Sequence, residues 1–244
     1  SKNTYGTGSF VLTNVGAELP DPVEGLLSTV AWTVDGQPGA TYALEGSIFA
    51  TGSAIQWLRD GLGVVTEAAE VGPLAEQCPD PQGVYVVPAF TGLGSPYWDP
   101  YAQGTIVGLS RGSDRATLAR AVVEAMAYQT RDVLDAMQAA SGQPLGELRV
   151  DGGAAVMEVL CQFQADQLDI PVARPVLQET TAVGAAYLAG VAEGVWADHD
   201  EVAGLWQLDK AWSPTADRAE PDRRYAQWQR AVERSRGWAG PGYQ

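Results

Sequence analysis

Apolar and polar positions change period several times along this 244-residue chain. Residues 2–14 read as a hairpin: Asn3 to Gly6, a Gly-Thr-Gly-Ser turn, then a second strand from Phe10 to Asn14. After a loop holding Pro20 and Pro22, strands are expected over 26–34 and 41–44, around the turn Asp35-Gly36-Gln37-Pro38-Gly39. Ile48, Ile55 and Leu58, with Ala50 and Ala54 between them, predict a helix over 48–60 ended by Gly61. Gly52 falls inside that helix, where glycine costs about 1 kcal/mol relative to alanine, so a packing or ligand reason is expected for it. Val84 to Pro88 reads as a buried strand that enters a Gly/Pro/aromatic loop, 90–100, and 104–109 reads as another strand. Asp114 is placed to cap a long helix whose stripe is Leu118, Val122, Ala125, Gln129, Val133 and Met137. A strand over 148–150 enters Asp151-Gly152-Gly153-Ala154. It is followed by a helix over 156–168, a short strand over 170–172, a small-residue helix over 180–192 and a last helix over 223–238. Strands alternating with helices after the opening hairpins give an α/β fold. Its sheet is mixed, antiparallel first and parallel later, and flanked by helices.

Composition narrows the function. The net charge of −15 argues against a nucleic-acid partner, whose phosphates call for lysine and arginine. The charge is uneven: residues 1–200 carry 8 basic and 24 acidic side chains, and residues 201–244 carry 7 and 6. The arginine-rich tail reads as a solvated final helix. Cys78 and Cys161 make no disulfide framework, and Cys161, in an apolar helical pattern, reads as a reduced core residue. One histidine, His199, excludes a multi-histidine metal site, and its setting among aspartates reads as a polar turn that starts a helix. No secretory leader and no apolar run near membrane-spanning length stands out, so no membrane partner is expected.

Two Gly-rich turns carry the candidate chemistry, Tyr5-Gly6-Thr7-Gly8 and Val150-Asp151-Gly152-Gly153-Ala154, each after a strand. Glycine lets an anion approach backbone amides with no Cβ in the way, and a helix opening after such a turn favours negative charge. Either turn alone can be no more than a turn. Together with Gly52 they are three glycines on separate elements, able to converge on a flat ligand. Because the first turn stands at the very start of the chain, a facing surface across a cleft is expected from outside it, which reads as one half of a two-domain enzyme.

The residues that carry a resemblance are Lys2 to Gly8, Tyr42 to Gly46, Ile55 to Asp60, Gly83 to Gly104, Ala127 to Asp132 and Arg149 to Ala154. In this order they resemble the C-terminal, nucleotide-binding domain of the glycerol kinases, within the FGGY family of carbohydrate kinases. The resemblance implies a ribonuclease H-like, actin/hexokinase-type ATPase fold over 1–244, with the N-terminal domain absent from this chain. It implies transfer of the ATP γ-phosphate to glycerol, with Mg²⁺, by a cytoplasmic homo-oligomer in glycerol metabolism. Carried over position by position, Gly6 and Thr7 touch the ATP phosphates and Gly52 and Gln56 lie near the nucleotide. Gly152, Gly153 and Ala154 lie against the adenosine, and Phe10 packs on the glycerol carbons; the bland reading of Phe10 is hairpin core. No catalytic residue and no metal ligand is implied within this chain. The aspartate base and the Mg²⁺ ligands belong to the family's N-terminal domain, so the isolated chain is expected to be inactive.

One departure stands out. The glycerol kinases usually carry asparagine at the position of Met157, where it bonds adenine. Methionine packs on a ring but cannot pair with its edge, and Glu158 is the alternative partner. Two other readings stay open: a related pentulose or polyol kinase, and a kinase-like regulatory protein that has lost its chemistry, which Met157 alone favours. An α/β wall parted from its partner is also expected to expose an apolar face through which it associates.

Overall fold

A computed structural model of the chain describes residues 1–34 and 38–240. Among the described residues seven strands form one mixed sheet. The opening hairpin is as expected: β1 (Lys2–Tyr5) pairs antiparallel with β2 (Ser9–Gly16), Tyr5 opposite Ser9. On its far side β2 pairs with β4 (Thr41–Ile48), which pairs with β3 (Leu27–Trp32). Asp35, Gly36 and Gln37 of the expected turn between them lie outside the described residues. On the other side β1 runs parallel to β7 (Leu148–Gly152), and β7 parallel to β8 (Val172–Pro175). The sheet therefore changes from antiparallel to parallel at β1. An antiparallel edge strand that the sequence pattern does not reveal, β9 (Leu208–Trp212), closes it. The fold class is as expected.

The predicted helix over 48–60 is a correction. Backbone 41–48 stays extended because Ile48 is an inward-facing strand residue, buried at the end of β4. The helix starts only at Gly52, as α1 (Gly52–Gln56), and continues as a π-helical turn, Trp57–Gly61. Gly52 is thus its first residue, not an interior one. Another short helix, α2 (Val71–Glu76), escapes the periodicity because Gly72 and Pro73 interrupt it. Strands β5 (Tyr85–Val87) and β6 (Thr105–Val107) form a separate antiparallel ribbon.

The long helix α3 (Arg115–Ser141) is capped as expected: Thr117 N–H donates to Asp114 Oδ1 at 2.9 Å and Asp114 N–H to Thr117 Oγ1 at 3.2 Å. Gly142, in the left-handed region, ends it. Its burial exceeds one stripe because α3 lies between the sheet and the helices behind it. Gly46 of β4 has no room for a Cβ, which would meet Val133 Cγ1 at 2.3 Å. Helix α4 (Glu158–Leu168) packs on α3, and the exposed Glu158 begins it, two residues later than the pattern suggests. Cys161 is buried in α4, its thiol pushed up to about 12 by burial, and so inert as a nucleophile at neutral pH.

Helix α5 (Thr180–Ala192) has the predicted span, but among its residues only Gly190 is fully buried. Ala182, Ala185, Ala186, Leu188 and Ala189 are exposed, leaving an apolar helix face uncovered. His199 opens α6 (His199–Ala203) behind the N-cap Asp198, whose carboxylate accepts from Glu201 N–H, so the polar-turn reading holds. The last helix, α7 (Ala219–Ser235), starts four residues earlier than predicted and anchors Trp228 in the core. No helix among the described residues is long and apolar enough to cross a membrane.

Candidate nucleotide-binding site

The strand register brings the two glycine turns together. Tyr5 stands opposite Gly152 on the adjacent parallel strands β1 and β7, so both turns leave the same end of the sheet side by side. Gly152 has φ +83°, and a Cβ there would meet the Tyr5 carbonyl oxygen at 2.4 Å. Its N–H donates to the Gln178 carbonyl at 3.0 Å. Gly153, by contrast, is exposed, with nothing within 4 Å of its Cβ position. The first glycine of the pair is demanded by the fold, and the second faces open space.

In the first turn, Gly6 N–H donates to the Gly8 carbonyl at 2.8 Å, so this amide is committed inside the turn. Thr7 is exposed, and its hydroxyl has no hydrogen-bond partner among the described residues. A hydroxyl satisfied by its own turn is therefore not what the structure has. Behind the turn sits the start of α1. Thr51 N–H and Ser53 N–H both donate to the Thr7 carbonyl, at 3.1 and 2.9 Å, and Gly52 N–H donates to the Gly6 carbonyl at 3.0 Å. A Cβ on Gly52 would meet that same Gly6 oxygen at 2.5 Å. Close backbone packing against the first turn explains this glycine, and the three glycines do converge. Gln56, one turn further along α1, is exposed.

Thr51 is a residue that the sequence reading missed. It is fully buried, donates from its hydroxyl to the Gly6 carbonyl at 3.1 Å, and accepts from Ser9 Oγ at 3.0 Å. A threonine just before Gly-Ser-Ala is an N-cap signal, but the apolar spacing from Ile48 obscures it. The second turn has a matching brace: Thr180 Oγ1, at the start of α5, donates to Asp151 Oδ2. Asp151 is itself buried, and its Oδ1 has no hydrogen-bond partner among the described residues.

Ala154 is buried in the one-turn 3-10 segment Gly153–Val156 that separates the second turn from α4. Met157 follows as the N-cap of α4, extended at φ −77° and ψ 107°. It is 9 % exposed, and its side chain covers Gly72 of α2, where a Cβ would meet Met157 Cγ at 3.2 Å. It therefore belongs to the wall between α2 and α4. Glu158 points outward and ion-pairs with Lys210 at 2.7 Å.

Phe10 corrects the hairpin-core reading. It is 52 % exposed, because Ser9, Val11 and Thr13 take the face of β2 that packs on α3, which leaves Phe10 on the other. Its register partners there are Thr4 and Ser47. Phe49 and Trp98, also exposed, meet edge to face at 5.9 Å, so the Gly/aromatic loop adds apolar surface near the end of β4. Among the described residues no group of three or more His, Cys, Asp or Glu is placed to hold a metal.

A family model for the "FGGY family of carbohydrate kinases, C-terminal domain" matches residues 1–193. Glycerol kinase 2 of Thermotoga maritima is 55% identical over 237 residues, covering 97% of this chain and 47% of the relative. Glycerol kinase of Carboxydothermus hydrogenoformans is 55% identical over 238 residues, with 98% and 47% covered. The chain spans about half the length of the curated relatives it matches. Among solved structures, Plasmodium falciparum glycerol kinase with ADP superposes with a TM-score of 0.88 at 32% identity, over 96% of this chain and 46% of that one. Xylulose kinase of Lactobacillus acidophilus, at 23% identity and TM-score 0.80, shares the fold.

Proposed function

Because this chain belongs to the FGGY family of carbohydrate kinases, we propose that it is the nucleotide-binding half of a glycerol kinase that phosphorylates glycerol to sn-glycerol 3-phosphate. The observation that carries the reading is the pair of glycine turns that leave β1 and β7 at the same end of the sheet, with the uncommitted Thr7 hydroxyl in the first and the bare Gly153 in the second. Glycerol is favoured over a pentulose because the relatives at 53–55% identity are glycerol kinases.

The residues fit a nucleotide. Thr7 donates its hydroxyl to a phosphoryl oxygen, and the absent side chain at Gly6 lets the phosphates come close. Gly153, exposed with open space at its Cβ position, leaves room for the adenosine, and the buried Ala154 follows it in the same turn. Gln56, exposed on α1, offers an amide at the same edge, and Gly52 holds α1 against the first turn. Phe10 presents an apolar ring to the glycerol carbons. ATP, when bound, supplies the transferred phosphoryl group. Phosphoryl transfer further needs Mg²⁺ and an aspartate base, which this reading assigns to the half of the relatives' length that the chain does not span. The uncovered apolar face of α5 supports such a two-domain organisation, since an exposed face of this kind marks an interaction surface. A homo-oligomer in the cytoplasm completes the reading.

Two measurements test it. Calorimetric titration with ATP is expected to show saturable binding by the 244-residue chain, while coupled assays with glycerol show no turnover above a matched blank. Turnover by this chain alone would sink the assignment of the base to another domain.

The regulatory alternative rests on Met157, whose thioether covers Gly72 and offers no hydrogen bond to a base edge. Met157→Asn is expected to tighten ATP binding about fivefold, the worth of one ligand hydrogen bond of about 1 kcal/mol. If the intact protein binds no ATP with either residue, the regulatory reading takes over.

A further inference from the structure

A cavity of 520 Å³ opens between α7 and the β5–β6 ribbon, and none of its lining belongs to either glycine turn. Four guanidiniums reach it, those of Arg223, Arg224, Arg230 and Arg234, against the carboxylates of Asp80 and Glu124. Four positive minus two negative groups give the lining a formal charge of +2, in a chain whose net charge is −15.

The inner end of the cavity is a closed ion-pair network. Buried Glu124 accepts from Arg120 Nε at 2.7 Å and from Arg224 Nη1 at 3.1 Å, and Arg224 also reaches Glu220 and Asp80. Arg223 is tied to Glu220 at 2.7 Å. The outer end is different. Arg230 Nη1 donates to Gln227 Oε1 at 2.7 Å, and Arg234 Nη1 to the Arg230 carbonyl at 2.6 Å. Among the described residues neither guanidinium has a carboxylate partner. Like charges one helical turn apart repel, so this pair is held together without a counter-ion. Part of the opposite wall is bare backbone: a Cβ on Gly108 would meet the Gly83 carbonyl oxygen at 1.9 Å, so no side chain fills that part, which lies beside Pro81, Gln82 and Val107. Tyr85, its hydroxyl donating to the Arg224 carbonyl at 3.2 Å, lends the lining a half-buried ring.

We propose that this cavity binds a small phosphate monoester, with Arg230 and Arg234 as the ligands of its phosphate. Planar guanidinium forks match phosphate oxygens, and a dianion balances the lining charge. The volume is that of a small-molecule pocket rather than of a bare anion, with the Tyr85 ring available to the carbon skeleton. This site is independent of the kinase reading and stands or falls separately.

The test is calorimetry on the intact protein at physiological salt, with glucose 6-phosphate, glucose and inorganic phosphate as probes. Saturable binding of glucose 6-phosphate is expected, none of glucose, and weaker binding of inorganic phosphate. The double variant Arg230→Ala/Arg234→Ala is expected to weaken the ester by about tenfold or more, with its melting temperature unchanged because both side chains are exposed. Absence of binding by the parent overturns the proposal. So does undiminished binding by the double variant, which would put the ester at the glycine turns. Inorganic phosphate bound as tightly as the ester overturns the monoester assignment. Retention of poly-glutamate without any ester binding replaces it with an acidic protein partner.

Discussion

Alanine at Gly152 is expected to destabilise the chain by about 2–6 kcal/mol and to abolish ATP binding. Two independent costs add. The backbone there has φ +83° and ψ 178°, a region essentially closed to residues with a Cβ, where strain is about 1–3 kcal/mol. The methyl group would also stand 2.4 Å from the Tyr5 carbonyl oxygen, with further backbone atoms of Tyr5 at 2.9 and 3.0 Å. Backbone of a central strand cannot step aside cheaply, and overpacking of this kind costs about 1–3 kcal/mol more. Relief requires β7 to part from β1, the pair that sets the two glycine turns side by side. Urea unfolding measures the first effect and calorimetry the second. A Gly152→Ala variant with parental stability would mean that the turn is not held as described.

The neighbouring glycine separates folding from ligand contact. Gly153→Ala meets nothing within 4 Å and has no positive φ, so stability should hardly change. Lost nucleotide binding in that variant, with unfolding unchanged, would therefore report on the ligand alone.

These glycines also mark what a sequence can convey. The positions of both turns are legible because each follows a strand-like run and glycine pairs have few other uses. Their convergence follows from sheet order, which the sequence pattern does not reach: it reads antiparallel strands first and parallel strands later, and only the pairing puts β1 between antiparallel β2 and parallel β7. Gly52 is misplaced by periodicity because Ile48, Ile55 and Leu58 serve two elements, the end of a strand and the start of a helix, at spacings that imitate one helix. The reason for that glycine, a carbonyl from another segment at 2.5 Å, is a tertiary fact with no local signal. β9 is hidden for another reason. It is a polar edge strand whose only fully buried residue is Trp212, so its pairing with β8, not its own pattern, makes it a strand. Thr51 and the Asp151–Thr180 brace lie between these cases: the residue types are suggestive, but only the register shows what they hold.

Stability is expected to fall as pH rises from 5 to 7, and Asp132 is the reason. Its carboxyl, in α3, lies buried between α3 and α7, accepting from Tyr225 Oη at 2.6 Å and from Trp228 Nε1 at 2.8 Å. Burial outweighs these hydrogen bonds and raises its pKa from 3.8 to about 7. A carboxyl raised in the folded state keeps its proton there while the unfolded chain releases it. Folding therefore binds a proton between the two values, and the stabilisation present at low pH is lost as pH rises through about 7. Two pH units within that window correspond to about 3 kcal/mol. Glu124, also raised by burial, acts in the same direction. The carboxylates with lowered values, Glu220 and Asp222 among them, act in the opposite direction but only below pH 5, where exposure to solvent keeps their effect small. Asp132→Ala is expected to cost about 3–5 kcal/mol at pH 6, because the Trp228 N–H and Tyr225 hydroxyl are then buried without an acceptor. Asp132→Asn still accepts from Trp228 and cannot ionise, so it should lose less and flatten the pH dependence. Thermal unfolding of the three proteins between pH 5 and 8 decides: equal slopes in the parent and the asparagine variant would remove Asp132 as the titrating group, and a mild alanine variant would mean that α7 does not depend on this carboxyl for its seat on α3.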